Sequence, residues 1–535
     1  MKSLSQYKLI LFSSIFFTLF YNFSFYKNVI NTYGFSGLNI IYLLSTTILL
    51  ISLLTLIFTI FSSKYTTKPI LITLFAISAF TAYFMDSYGV VIDTEMIRNS
   101  LQTNLNESKD LFSLKLVLYV IFLAILPTYF VYKIQIEYKS FKSELFSKLK
   151  TILLSLVLIL VIIFSFSKFY TSFFREHKPL RYNVNPIYWI YSIGNYINKS
   201  FDVAPTTLQE IGKDSKVIEP INEPKELIIL VVGETARADR FSINGYGKET
   251  NPLLKQEDII NFPNMYSCGT STAHSVPCMF SIFGKDDYSY KKGISTENIL
   301  DVLINTKDVS ILWRDNNSDS KGVALRIDYE DFKTPKTNTI CDEECRDEGM
   351  LVGLESYIEK NQGKDILIVL HQMGNHGPAY YKRYPKEFEK FTPVCKTNQL
   401  EDCTKEEIGN AYDNAILYTD YFLSKAINFL KQYKNSHETA LVYVSDHGES
   451  LGENGIYLHG MPYAIAPKEQ INVASFIWIG DGAMEHEYDK DKLKTYKDKK
   501  FSQDNLFHTL LGLFEVETEV YKKDMDILND ARNAE

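Results

Sequence analysis

Basic residues are in short supply. The 535-residue chain carries 56 Lys and Arg against 64 Asp and Glu, a formal net charge of −8. That balance excludes a protein held to nucleic acid by non-specific charge, which needs a basic excess. There is no internal repeat and no low-complexity tract. Disorder is excluded too, because 46% of the residues are hydrophobic. Charge of either sign is missing from five long stretches near the start: residues 9–26, 28–63 (apolar core 40–61), 69–85, 116–132 and 151–167. A helix needs about 20 such residues to cross a bilayer, so each reads as a membrane span once its flanks are included. No small-x-small cleavage site follows the first stretch and four more spans do, which argues against a cleaved signal peptide.

Loop charge sets the orientation. Lys2 and Lys8 precede the first span, Lys64 and Lys68 separate spans two and three, and Lys133, Lys139, Lys142, Lys148 and Lys150 separate four and five. The other side carries Lys27, then Arg98, Lys109 and Lys115 in an acidic loop. The positive-inside rule therefore puts the N-terminus in the cytoplasm and everything after about residue 170 outside. Cysteine is absent from the first 267 residues. All 6 lie in the remainder, at Cys268, Cys278, Cys341, Cys345, Cys395 and Cys403. Three pairs of near neighbours suit local disulfides in an oxidising compartment. The alternative is a zinc pair at Cys341 and Cys345, although no second pair has matching spacing.

These patterns divide the chain into a membrane domain with five helices (1–170), an interfacial bridge (171–225) and a soluble domain (226–535). In the loop 86–112, Asn99, Thr103 and Glu107 recur every four residues, which on one helix places them on a common face. That face is either solvated or a polar stripe at a site on the membrane surface. From residue 226 continuous apolar runs at 227–232, 309–313, 366–370 and 440–444 alternate with helical stretches such as 412–432. Such runs are buried parallel strands of an α/β sheet, and ligands bind beyond their carboxyl ends. There stand Glu234, the run Arg314 to Lys321, His371 with His376, and Asp446-His447-Gly448-Glu449. Mixed carboxylate and imidazole groups suit Zn²⁺ or Mn²⁺. A nucleophile is available in the segment 267–278, where Gly269 leads a run of hydroxyl residues into a helix. A hydroxyl at a helix N-terminus beside a metal can attack phosphorus.

The residues that carry this chemistry also carry a resemblance. Gly-Glu-Thr-Ala-Arg at 233–237, Asn244-Gly245-Tyr246 with Thr250-Asn251-Pro252, Cys-Gly-Thr-x-Thr at 268–272 and the run 313–322 resemble the phosphoethanolamine transferases of Gram-negative envelopes. So do His376-Gly377-Pro378, the run 445–452 and Leu458-His459-Gly460. That family includes lipid A modifying enzymes and mobile colistin-resistance enzymes, and the resemblance spans nearly the whole chain.

The resemblance implies an alkaline-phosphatase-like soluble domain in the periplasm and a multi-pass anchor in the inner membrane. It implies Thr272 as the nucleophile that accepts phosphoethanolamine. Glu234, Asp446, His447 and the Thr272 oxygen would bind a catalytic Zn²⁺. His376 and His459 would contact the phosphoryl group or a second zinc. Thr270, Asn317 and Lys321 would hold the phosphoethanolamine, and Asn99, Thr103 and Glu107 would help seat its ethanolamine end. The implied disulfides are Cys268–Cys278, Cys341–Cys345 and Cys395–Cys403. Phosphatidylethanolamine would be the donor, and lipid A or another envelope glycan the acceptor. The added amine would offset lipid A charge and weaken binding of cationic peptides, as in polymyxin resistance. Two rivals are a lipoteichoic-acid-synthase-like transferase of glycerol phosphate, which uses Mn²⁺, and a non-catalytic envelope scaffold.

Overall fold

The computed structural model describes residues 3–103, 105–201, 207–218, 224–481 and 486–533. The chain divides into two compact units. One comprises Met1–Ile97 and Phe112–Ile197, the other Arg98–Leu111 and Asn198–Glu535.

The first unit is the helical membrane region. Among the described residues, four helices are long and apolar enough to cross a bilayer: Leu38–Phe61, Thr67–Tyr88, Leu114–Lys133 and Phe141–Ser165. The stretch expected as a first straight span is instead a bent pair, Gln6–Phe20 and Phe23–Tyr33, with 57° between them. The break falls at Asn22, whose side chain caps the Phe17 carbonyl (2.9 Å) and exchanges two further bonds with the backbone of Asn185. A polar side chain inserted at the end of the helical ladder stops it there. Counting that pair as one span brings the number to five.

The loop between the third and fourth apolar stretches departs from expectation in a similar way. One helix ends at Gln102 and another runs Leu105–Asp110, so Asn99, Thr103 and Glu107 do not share a continuous helical face. The Thr103 hydroxyl turns back onto the Asn99 carbonyl (2.9 Å), the kind of local bond by which polar residues compete with helix propagation. The Glu107 side chain lies outside the described residues.

The second unit is built on a seven-stranded sheet. In chain order its strands are β1 (Lys225–Gly233), β2 (Ile259–Asn261), β3 (Val309–Asp315), β4 (Asp328–Asp331), β5 (Asp365–His371), β6 (His437–Ser445) and β7 (Ser475–Ile479). Their spatial order is β2-β7-β6-β1-β5-β3-β4. Strands β6, β1, β5, β3 and β4 are parallel, and at one edge β7 pairs antiparallel with β6 and with β2. Along β1, Ile228, Leu230 and Val232 enter one hydrophobic cluster, whereas Leu227, Ile229 and Val231 enter another on the opposite face. Burial on both faces is why these strands read as unbroken apolar runs. The register aligns Ser445 with Gly233, Val232 with His371 and His371 with Asp315. Four carboxyl ends thus meet at one edge of the sheet. The helix Lys405–Lys431 opens with a capping box between Thr404 and Glu407 and covers one face.

Candidate active site

The edge where the four strands end carries a buried cluster. Glu234 leaves β1, and Asp446 and His447 leave β6. All three are buried, and one ligand atom from each lies within 4.8 Å of the others. Close backbone approach makes this possible. Gly374 sits at φ +50° against Glu234, and a Cβ on Gly448 would lie 2.1 Å from the Glu469 carbonyl. Thr235, β-branched yet at φ +52°, carries strain of the sort found at functional sites.

Each of the three side chains is oriented by its other atoms. Asp446 Oδ1 accepts the backbone N–H groups of His447 (2.7 Å) and Thr235 (3.2 Å), which leaves Oδ2 buried with no hydrogen-bond partner among the described residues. Glu234 Oε2 accepts from Asn317 Nδ2 (2.8 Å) and Thr272 Oγ1 (3.1 Å), which leaves Oε1 likewise. His447 Nδ1 stands 2.9 Å from the Gly448 carbonyl, an acceptor only, so the proton is on Nδ1 and the Nε2 lone pair faces the cluster. Nε2 lies 3.5 Å from Glu234 Oε1, 3.4 Å from Asp446 Oδ2 and 3.3 Å from Thr272 Oγ1.

Bond lengths of 2.0–2.2 Å to zinc put tetrahedral ligands about 3.3 Å apart. The spacing of these four groups, and the two buried carboxylate oxygens left without partners, therefore fit a zinc ion. Burial, then the neighbouring Asp446 charge, pushes the Glu234 carboxyl well above its usual range. Burial also raises Asp446. The same burial lowers His447 to about 4, so its imidazole is neutral and able to ligate at pH 7. A second grouping of Cys268, His274 and Cys278 is not a metal site, because the two sulfurs are bonded to each other.

Thr272 is the first residue of the helix Thr272–Met279, with its hydroxyl against both Glu234 and His447. A helix N-terminus favours the negative charge of an incoming phosphoryl group. Above the buried cluster, half-buried His459 stacks 4.3 Å from His447 between ring centres, and half-buried His376 lies 6.2 Å from His459. Burial lowers His459 to about 3, and burial with the Arg383 charge sets His376 well below the ordinary value. Two neutral imidazoles therefore stand between the cluster and solvent.

The remaining residues singled out in the sequence divide. Thr270 lies at this site, bonding the Met461 carbonyl (2.7 Å) and accepting from His459 Nδ1 (3.2 Å). Asn317 is present but committed: Nδ2 serves Glu234 and the Gln372 carbonyl (2.6 Å), and Oδ1 takes the Ser318 N–H. Its place is behind the cluster, holding Glu234. Lys321, at φ +50°, rests its ammonium on the Ser318 carbonyl (3.3 Å). No described hydrogen bond carries Lys321, Asn99 or Thr103 to the cluster. The three disulfides are Cys268–Cys278, Cys341–Cys345 and Cys395–Cys403.

Sequence reasoning missed two braces. Gln503 donates to the carbonyls of Ser445 and Asp446 (both 2.7 Å) and accepts the Cys268 N–H (2.6 Å), strapping the end of β6 to the segment that leads into Thr272. Buried Arg237 joins Asp239 (2.7 Å), Glu453 (2.7 Å) and the Glu449 carbonyl (3.1 Å). Only Arg237 had a signal, its position in the Gly-Glu-Thr-Ala-Arg run. Arg237→Ala is expected to cost about 3 kcal/mol, because partners of a buried charge are left without it, and to lower bound zinc. Arg237→Lys restores the charge but not the fork. Melting temperature and elemental analysis of detergent-purified protein check this, and an unchanged melting temperature would refute it.

Residues 50–201 match the family model "Phosphoethanolamine transferase EptA/EptB", and residues 226–516 match "Sulfatase". Phosphatidylethanolamine transferase Mcr-2 of Escherichia coli is 46% identical over 506 residues, 92% of each chain. Mcr-1, from the same species, is 44% identical over 535 residues, 97% of each. The full-length structure of lipooligosaccharide phosphoethanolamine transferase A from Neisseria meningitidis superposes with a TM-score of 0.95 at 34% identity, covering 100% of both chains. With helices of membrane-spanning length ahead of a sulfatase-like domain whose Glu234–Asp446–His447 cluster touches a threonine hydroxyl, this chain belongs to the phosphoethanolamine transferase family.

Proposed function

We propose that this chain moves phosphoethanolamine from phosphatidylethanolamine to a phosphate or hydroxyl of lipid A, or of another envelope glycan, through a covalent adduct on Thr272. The observation that carries the reading is the Thr272 hydroxyl, held at a helix N-terminus 3.1 Å from Glu234 Oε2 and 3.3 Å from His447 Nε2. In the first half-reaction Thr272 Oγ1 bonds to phosphorus, the bond from phosphorus to the diacylglycerol oxygen breaks, and that oxygen takes up a proton and leaves as diacylglycerol. The hydroxyl proton passes by way of Glu234 Oε2, which accepts its hydrogen bond, to that departing oxygen. His376 and His459 are neutral at the mouth; His376 can offer an N–H to a phosphoryl oxygen, whereas His459, its one proton held on Nδ1 by the Thr270 carbonyl, presents the Nε2 lone pair. In the second half-reaction the acceptor oxygen bonds to phosphorus, the bond from phosphorus to Thr272 Oγ1 breaks, and the proton given up by the acceptor restores the Thr272 hydroxyl. Zinc held by Glu234, Asp446, His447 and Thr272 would lower the hydroxyl pKa and neutralise charge developing on phosphoryl oxygen. A second zinc would sit at His376 and His459. Thr270, Asn317 and Lys321, with Asn99, Thr103 and Glu107, are assigned to holding the phosphoethanolamine, Asn317 acting through Glu234.

On this reading residues 1–170 anchor the chain in the inner membrane, 171–225 bridge its surface and 226–535 catalyse in the periplasm, where donor and acceptor headgroups lie. The high identity to proteins named phosphatidylethanolamine transferases favours this reaction over glycerol-phosphate transfer or a scaffold role. Peptide mass spectrometry of the detergent-purified chain tests it. A phosphoethanolamine adduct on the Thr272 peptide is expected, absent in Thr272→Ala. A glycerol phosphate adduct would instead assign the rival reaction.

A further inference from the structure

The segment Arg98–Leu111 leaves the helical unit and packs with the catalytic one. It is held near both ends. Arg98 stacks its guanidinium over the Tyr290 ring at 4.3 Å. At the other end Asp110, buried at the close of the helix Leu105–Asp110, meets Lys382 Nζ (2.6 Å) on one carboxylate oxygen and Arg383 Nη2 (2.7 Å) on the other. Burial alone would raise that carboxyl, but the Arg383 and Lys382 charges hold it below the usual range.

The socket around Asp110 comes from the two smallest disulfide loops. Asn398, inside the loop closed by Cys395–Cys403, donates to the Asp110 carbonyl. Glu344, inside the loop closed by Cys341–Cys345, takes the second arm of Arg383. Arg346, just beyond that loop, donates to the Lys382 carbonyl (2.7 Å). The third arm of Arg383 points toward the active site: Nε donates to the His376 carbonyl at 2.6 Å. Arg383 is buried and its planar fork has fixed geometry, so where Asp110 holds it decides where it holds His376.

We propose that Asp110 is a positioning residue for transfer: through Arg383 it fixes the main chain at His376 and so aims that imidazole beside the cluster. The proposal rests on the transfer reaction inferred above. A carboxylate far from the chemistry in sequence thereby makes catalysis depend on the docking of residues 98–111. It also gives the Cys341–Cys345 and Cys395–Cys403 bridges a task in shaping the socket.

The test is a double-mutant cycle on the full-length chain in detergent, with diacylglycerol released from phosphatidylethanolamine as the readout. Asp110→Asn keeps the shape and removes the charge. Its kcat is expected to fall about tenfold, the order of effect that a small misplacement of a catalytic group produces. The KM for the lipid and the bound zinc should be unchanged, and Asp110→Glu should recover most of the loss. In a His376→Gln background the same substitution should cost little more, because coupled residues are non-additive. Wild-type kcat in Asp110→Asn, or a full loss that persists beside His376→Gln, overturns the proposal. Should His376→Gln have no measurable activity, hydrogen exchange of the peptide 374–383 decides: faster exchange in Asp110→Asn supports the proposal and unchanged exchange overturns it. A wild-type chain that releases no diacylglycerol would bring down the transfer reading itself, a different failure.

Discussion

Thr272→Ala is expected to lose phosphoethanolamine transfer by about 10⁴-fold or more, the scale on which removing a covalent nucleophile acts, while keeping its fold and its metal. The separation follows from what each neighbour retains. Glu234 Oε2 still accepts from Asn317 Nδ2 at 2.8 Å. His447 Nδ1 still donates to the Gly448 carbonyl at 2.9 Å. Asp446 Oδ1 keeps both of its backbone donors. One hydrogen bond is gone and no buried group is stranded by its loss, so the stability cost is about 1 kcal/mol. The catalytic loss corresponds to about 5 kcal/mol of barrier. Thr272→Ser keeps the oxygen and gives up one methyl group, and should retain most of the activity. Diacylglycerol release, bound zinc and melting temperature, measured together on the three proteins, read this pattern. An alanine variant that still transfers at close to the wild-type rate would mean that phosphoryl passes directly from donor to acceptor.

What the sequence reveals here depends on whether a contact is local. Strands β1, β3, β5 and β6 are legible because burial on both faces leaves them apolar at every position. The structure only lengthens them, for example from 440–444 to His437–Ser445. Strand β4 (Asp-Tyr-Glu-Asp) has no apolar signal, since it is an exposed edge strand guarded by charge. Strand β2 is too short to show any period. Glu234, Asp446 and His447 are legible because parallel strands deliver whatever follows them to one edge. The roles of Asn317 and Gln503 are not legible, because each is set by partners many residues away. The Arg383–Asp110 pair, 273 residues apart in sequence, leaves no local trace at all. Asn22 is visible as a polar residue in an apolar stretch. That it breaks the first span follows only from its bonds to Asn185.

Glu234→Gln is expected to lose the metal and the activity together, and yet to leave the metal-free protein no less stable than wild type. The cluster buries two carboxylates within reach of one imidazole, with Glu234 Oε1 and Asp446 Oδ2 lacking a hydrogen-bond partner among the described residues. Without a cation that arrangement is unfavourable. Burial and the Asp446 charge are what raise the Glu234 carboxyl, so the metal-free protein gains from having that charge removed. Glutamine has the same shape. Its carbonyl oxygen keeps the Asn317 bond, and its amide offers a donor on the side where His447 Nε2 presents a lone pair 3.5 Å away. With zinc present the balance reverses, because the variant has given up an anionic ligand. At free zinc about 1,000 times the dissociation constant, wild type gains about 4 kcal/mol from binding, and a variant whose affinity has dropped to that concentration gains only about 0.4 kcal/mol. Melting curves with and without a chelator, beside elemental analysis, measure both halves. Full zinc occupancy in Glu234→Gln would remove Glu234 from the ligand set. A metal-free variant that melts well below metal-free wild type would make Glu234 a structural residue. Read beside Thr272→Ala, which loses activity with its metal in place, the pattern assigns attack on phosphorus to the hydroxyl and retention of the ion to the carboxylate.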